Sequence, residues 1–266
     1  MTQQAAHNEL MRHHRPLHAE RTAEFQAAFF LPHLRPGMAL LDLGCGPGYA
    51  SVDLGVLVGA GGRVVGVDRS RRFLDSARAR AAAHGLANVE FLELDLDAQP
   101  LPLTGLDGVW SRWVFAFVRD PRALLARVAQ VVRPGGALVL HEYADYRAWR
   151  LSPPTPEFAW FVEQVQATWR ETGGEPDVGL ELPHWLAALG FEIVQLLPLV
   201  ESPRPADYFW QWPNAFVDVG LQRMVDTGRV DPARAERVRA AYRASQAVPG
   251  AFQLTPTVLE VIAVKR

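Results

Sequence analysis

Short apolar runs alternate with amphipathic stretches through the first half of the chain. Met38–Leu43, Arg63–Val67, Val89–Leu94, Leu106–Ser111 and Ala137–Glu142 read as strands, the first of the kind buried on both faces. Helical stretches fall between them, around Ala50–Val58, Arg71–His84 and Pro121–Val132. Ser70 supplies an N-cap for the second and Gly85 ends it, while Asp120-Pro121 opens the third with proline at its first position. Arg133-Pro134-Gly135-Gly136 reads as a turn into the fifth strand. Alternation of this kind predicts an α/β fold: a mostly parallel sheet with helices on both faces.

The pattern changes after Tyr143. Pro153, Pro154 and Pro156 mark a break, and Glu157–Glu171 is a helix with Phe158, Phe161, Val162, Val165 and Trp169 on one stripe. Leu182–Leu189 reads as a short helix, Phe191–Val200 as a sixth strand, 203–250 as a long helical stretch and Thr257–Lys265 as a final strand. Upstream, 1–16 reads as an arm and Leu17–Leu31 as a helix. The expected organisation is an N-terminal arm and capping helix over 1–35, a core over 36–145 and a helical insertion over 146–190. The remaining core strands follow over 191–266, with a helical cap insertion at 201–256. In open α/β sheets ligands bind beyond the carboxyl ends of the strands, where insertions form lids or pockets.

Composition narrows the classes. The formal net charge is −2 and no Lys/Arg run stands out, so nucleic acid is not an expected partner. The single cysteine, Cys45, excludes an internal disulfide and a Cys-rich metal site. His13, His14 and His18 cluster, but Pro16 interrupts the helix that would present them, so no metal is expected. No apolar run reaches the length of a membrane span, and residues 1–15 lack a signal-peptide core. A cytoplasmic monomer or homodimer acting on a small molecule is the expectation.

Candidate chemistry centres on Asp42-Leu43-Gly44-Cys45-Gly46-Pro47-Gly48-Tyr49. A buried strand ends in a carboxylate and then alternate glycines, which let backbone approach a ligand closely. The dinucleotide fingerprint would need glycine at position 49, which is Tyr. Asp68 ends the second strand about 20 residues on, where a carboxylate accepts ribose hydroxyls. Asp95 follows the third strand, where its carboxylate and the Leu96 amide suit the amino edge of an adenine, although Asp97 offers a register slipped by two. One ligand reaching all three strand ends would be a nucleoside with a non-phosphate tail.

These residues resemble the motifs of class I S-adenosylmethionine-dependent methyltransferases, nearest the ubiquinone/menaquinone C-methyltransferase-like group. Asp42-x-Gly44-x-Gly46-x-Gly48, Asp68 and Asp95-Leu96 are similar to the first three motifs, and Leu106–Ser111 to the fourth. Arg133–Leu138 resembles the turn and strand after it. The resemblance covers roughly 36–145 and the terminal strand. It implies a Rossmann-like seven-stranded sheet of order 3-2-1-4-5-7-6, with the last strand antiparallel. It also implies S-adenosyl-L-methionine as cofactor and S-adenosyl-L-homocysteine as product. Gly44 and Gly46 would approach the methionine part, with Asp42 and Gly48 in the same loop. Asp68, with Arg69 beside it, would hold the ribose. Asp95 and Leu96 would bind adenine, and Ser111 and Arg112 would line the methionine side.

Methyl transfer from a sulfonium is an in-line displacement that asks mainly for alignment and a water-poor site. A base is needed only for a weak, protonated nucleophile. His141, Glu142, Tyr143 and Tyr146 are the candidates, with His141 and then Tyr143 favoured. His141 and Glu142 point to opposite faces of their strand. Trp149, Trp160, Trp169, Trp185, Trp210 and Trp212 crowd the later half, either packing a cap or lining a pocket for a planar or lipophilic acceptor. The Asn/Asp-Pro-Pro-Tyr signature of amino-methyltransferases that act on nucleic-acid bases or glutamine is absent at Ser111–Val114, leaving an O, N or C atom of a small metabolite. An NAD(P)-dependent oxidoreductase and a non-catalytic S-adenosylmethionine-binding regulator are the alternatives.

Overall fold

The computed structural model describes residues 33–266, so the arm and helix expected over 1–31 and His13, His14 and His18 lie outside the described residues. The side chains of Phe209, Gln211 and Trp212 lie outside them too. Nine strands alternate with seven α-helices among the described residues. The first half runs β1 (Ala39–Leu43), α1 (Tyr49–Val58), β2 (Arg63–Asp68), α2 (Arg71–Ala83), β3 (Val89–Glu93), β4 (Leu106–Arg112), α3 (Pro121–Val131) and β5 (Val132–Asp145). The second half runs β6 (Arg150–Ser152), α4 (Pro156–Glu171), α5 (Leu182–Ala188), β7 (Phe191–Leu199), α6 (Tyr208–Asp226), α7 (Pro232–Gln246), β8 (Phe252–Leu254) and β9 (Thr257–Lys265).

Seven strands form one sheet in the order β3-β2-β1-β4-β5-β9-β7. The pairs β1–β2, β1–β4, β2–β3 and β4–β5 are parallel, and β9 runs antiparallel to β5. With β7 and β9 as the sixth and seventh strands, this is the Rossmann-like order the motifs implied. The central strands are apolar on both faces: Leu40, Leu41, Val64 and Val109 are fully buried. Each such side chain contributes about 1.5–3 kcal/mol of transfer free energy. The caps are the ones the residues call for: Ser70 Oγ accepts from Phe73 N at 3.4 Å, and Asp120 Oδ1 from Ala123 N at 2.8 Å.

Two features depart from the pattern. The Arg133–Gly136 turn lies inside β5, as a bulge: Leu106 pairs with Val132, and Gly108 next pairs with Ala137. Gly135, at φ +77°, turns the backbone there, a left-handed conformation that favours glycine. Second, β6 and β8 pair antiparallel, Arg150 with Leu254 and Ser152 with Phe252. The long helical stretch expected over 203–250 is two helices, divided at Thr227–Asp231.

The chain divides into two compact units. The sheet unit holds the described residues up to Glu142, Val178–Leu197 and Leu259–Arg266. The helical unit holds Tyr143–Asp177 and Pro198–Val258. Helix α5, which the sequence groups with the insertion over 146–190, sits in the sheet unit and packs against α3. Among the described residues no helix is long and apolar enough to cross a membrane. Among them, too, no group of three or more His, Cys, Asp and Glu residues is placed to hold a metal ion.

Candidate functional site

Parallel pairing carries the carboxyl ends of β1, β2, β3 and β4 to one edge of the sheet, and the glycine loop leaves the sheet there. Leu43 stands opposite Val67 on one side and Ser111 on the other. The loop is pinned by Cys45 N donating to Val67 O at 2.9 Å and Gly48 N to Cys45 O at 3.0 Å. Gly44, Gly46 and Gly48 have φ of +70°, +52° and +77°, which side chains rarely adopt.

The three glycines meet different surroundings. A Cβ on Gly44 would lie 2.3 Å from Val114 Cγ2. A Cβ on Gly48 would lie 2.6 Å from Ala77 Cβ and 3.2 Å from Phe91 Cε1, so packing against α2 and β3 demands that glycine. A Cβ on Gly46 would meet nothing within 4 Å. Gly46 is therefore the position where bare backbone faces open space.

Asp68 closes the loop. Its Oδ2 accepts from Gly46 N at 3.0 Å and its Oδ1 from Ser70 N at 2.8 Å. Each carboxylate oxygen retains acceptor capacity. Arg69 beside it is exposed. Asp42 is buried, and Ser51 Oγ on α1 donates to its Oδ2 at 2.5 Å. Burial pushes the Asp42 carboxyl up to about 7, the Ser51 hydroxyl opposes this, and the charge of Asp68 adds to it. Asp42 thus ties strand to helix. The Cys45 thiol is buried and held far above its ordinary range, chiefly by burial and then by Asp42 and Asp68.

After β3 the two aspartates separate. Asp95 is half-buried, and its Oδ1 accepts from Asp97 N at 3.0 Å. The Asp97 carboxylate accepts from Arg119 N at 2.8 Å. Leu96 is buried, and its carbonyl accepts from Arg127. Near the end of β4, Ser111 is fully buried and its hydroxyl finds no hydrogen-bond partner among the described residues. The next residues turn sharply: Arg112 lies 4.0 Å over the Trp113 ring, and Trp113 has φ +54°. A bulky residue there is strained.

A family model described as a methyltransferase domain matches residues 34–175. The chain belongs to that methyltransferase family. A malonyl-acyl-carrier-protein O-methyltransferase of Serratia marcescens is 32% identical over 148 residues, covering 56% of this chain and 49% of that protein. The first four curated relatives are spanned over only 31–49% of their own length. Among solved structures, the YcgJ protein of Bacillus subtilis superposes with a TM-score of 0.58 at 15% identity, covering 90% of this chain and 97% of that one. The 4+2 cyclase SpnF superposes with a TM-score of 0.55 at 22% identity, covering 99% and 82%. These two share the fold.

In this methyltransferase-family chain the residues after β4 are held by the end of β5. Trp113 N donates to His141 O at 3.0 Å. Glu142, fully buried, accepts from Val114 N at 2.6 Å, Phe115 N at 2.9 Å and Ala116 N at 3.4 Å. Burial pushes its carboxyl up to about 7, against the pull of those three amides and of Arg112. A carboxylate so engaged is a staple and leaves the list of bases. His141, the favoured base, is buried, with its ring parallel to that of Trp113 at 6.4 Å and 11°. Tyr143 belongs to the helical unit, packed edge-on against Tyr146 at 5.0 Å and near Trp169 at 5.8 Å.

The helical unit answers the question of the tryptophans in part. Trp149 and Trp210 are core residues, at 2% exposure each. Trp149 donates from Nε1 to Gln253 Oε1 at 2.9 Å and packs edge-on against Phe158. It also lines a cleft of about 950 Å³ with Leu151, Phe158, Val162 and the cations Arg147 and Arg150. Trp160 instead carries Arg234 over its ring at 4.2 Å, and Trp185 sits on α5 in the sheet unit.

Proposed function

We propose that the chain moves the methyl group of S-adenosylmethionine to an O, N or C atom of a small, aromatic or lipophilic metabolite. The observation that carries this is the juxtaposition at one sheet edge of the open face of Gly46, the Asp68 carboxylate and the buried Ser111 hydroxyl, which has no hydrogen-bond partner among the described residues. These are the features a nucleoside with a polar, phosphate-free tail asks for. Gly44 and Gly46 would admit the tail, Asp68 would accept the ribose hydroxyls, and Asp95 with the Leu96 amide would take the adenine edge. Ser111 and Arg112 would face the methionine side, and Asp42 and Gly48 would hold the loop in shape.

When bound, the donor supplies a methyl group on a sulfonium, a good leaving group, so the protein's task is alignment and exclusion of water. His141 would take the proton from an acceptor that carries one. Relatives named for malonyl-acyl-carrier protein, demethylmenaquinone and aklanonic acid support an organic acceptor. The aromatic and aliphatic wall that Trp149, Leu151, Phe158 and Val162 give the cleft of the helical unit supports the same class. A formal charge of −2 speaks against nucleic acid. We place the protein in the cytoplasm, as a monomer or homodimer.

Calorimetry with S-adenosylhomocysteine and with NAD tests the donor. Micromolar NAD affinity without S-adenosylhomocysteine binding would overturn the proposal in favour of an oxidoreductase. Incubation of a metabolite panel with methyl-labelled donor tests transfer, and donor binding without any transfer would leave a binding protein. His141→Ala should lower turnover at least tenfold while sparing donor affinity, since general-base catalysis is worth about 10²–10⁴. Full activity in that variant would remove His141 as base.

A further inference from the structure

We propose that Glu142 is a positioning residue for the donor loop, holding Val114 against Gly44 by gathering the backbone amides of the turn after β4. Four successive amides of that turn donate to two successive residues of β5: Trp113 to the His141 carbonyl, and Val114, Phe115 and Ala116 to the Glu142 carboxylate. Phe115–Phe117 is a 3-10 turn, whose leading amides have no partner inside it. Glu142 meets that need from another strand, as a side-chain cap does from the preceding residue.

The turn matters because of what it carries. Val114 is buried, and its Cγ2 lies 2.3 Å from the place a Cβ on residue 44 would take. The methyl therefore fills the side-chain position of Gly44 and sets how far the loop can move toward β4. The same four residues follow directly on Ser111 and Arg112, so the grip also fixes where β4 ends. A carboxylate suits this task better than an amide, because each of its oxygens only accepts. A glutamine would set an N–H₂ group against the Ala116 N–H.

The charged group facing Glu142 from across the strands is Arg112 at the end of β4; His141 precedes it on its own strand. Burial of a carboxylate with so few compensating charges is costly. The three amides explain how it is tolerated. The inference rests on the reading of the glycine loop as the donor site.

The test is a double-mutant cycle on S-adenosylhomocysteine affinity with Glu142→Gln and Val114→Ala. Each single change should weaken binding, Glu142→Gln by about five- to thirtyfold, and the double variant should be no weaker than Glu142→Gln alone. Additive losses would overturn the positioning role, since a general loss of stability does not depend on the residue at 114. Wild-type protein that fails to bind would overturn the donor reading and this proposal with it. If Glu142→Gln does not fold, amide exchange in the wild type decides. S-adenosylhomocysteine should slow exchange at Val114–Ala116 at least fivefold more than at Leu124–Val128 of α3. Equal slowing at the two segments would overturn the proposal.

Discussion

Gly46 and Gly48 invite one methyl group each, with opposite results expected. Both have positive φ, so alanine at either costs about 1–2 kcal/mol for the left-handed backbone. At Gly48 the new Cβ would fall 2.6 Å from Ala77 Cβ and 3.0 Å from Ala77 Cα, and backbone cannot swing aside. Overpacking of that kind adds about 1–3 kcal/mol. Gly48→Ala should therefore lose about 2–5 kcal/mol, and Gly46→Ala, whose Cβ meets nothing within 4 Å, only about 1–2. For a chain of this size each kcal/mol moves Tm by about 2–4 °C. Thermal unfolding by circular dichroism would read a fall near 10 °C for Gly48→Ala and about half that or less for Gly46→Ala. Donor affinity should invert the order. Gly46→Ala puts a methyl into the open face and should weaken S-adenosylhomocysteine at least tenfold, about 1.4 kcal/mol. Gly48→Ala, measured below its Tm, should lose less donor affinity than Gly46→Ala, because its methyl points into the protein and not into the open face. A Gly46→Ala protein with unchanged affinity and a Tm loss equal to that of Gly48→Ala would refute the reasoning.

Three further expectations follow from the same edge of the sheet. Asp68→Ala removes the acceptor of both Gly46 N and Ser70 N as well as the proposed ribose contact, so S-adenosylhomocysteine affinity by calorimetry should fall more than tenfold; unchanged affinity contradicts the assignment. Asp42 has a carboxyl pushed up to about 7 in the folded chain from about 3.8, so the native state binds the extra proton between those values. Its contribution favours folding below that window and is lost as pH rises through 7, and Asp42→Asn should flatten that part of a denaturation-midpoint profile from pH 5 to 8. The buried Cys45 thiol should resist alkylation at pH 8 in native protein and react once urea unfolds the chain, and rapid native labelling would contradict its burial.

The half of the sheet that carries the glycine loop was legible because its strands announce themselves locally. Met38–Leu43 reads as buried from its own residues, and Asp68 and Asp95 lie where short parallel strands must end. The caps at Ser70 and Asp120 are also local chemistry. What stayed hidden is what distant residues do to one another. Three residues at Arg150–Ser152 carry too little pattern to declare a strand, and their partner lies about a hundred residues on. Glu142 looks like any polar residue at a strand end. Only the fold brings the amides of Val114–Ala116 to it and so turns a candidate base into a staple. Gly48 shares its loop with Gly46, yet Ala77 and Phe91 crowd its α-carbon while that of Gly46 is open, and nothing in the spacing separates the two. The sequence favours Asp95 and offers Asp97 two residues on, and it is Asp97 that accepts from Arg119 N, a contact no local pattern announces.

The place of β9 in the sheet bears on how the molecule comes into being. Strand β9 lies between β5 and β7, and its Lys265 Nζ donates to the Ala129 and Val132 carbonyls, where α3 passes into β5. Synthesis delivers β7 before β9, so β7 emerges with no neighbour to pair with and must wait through all of 200–256. The strands β3-β2-β1-β4-β5 are complete by Asp145 and can assemble while the rest is still being made. The five strands that carry the glycine loop thus precede β9 in the chain, and β9 is the strand that admits β7 to the sheet.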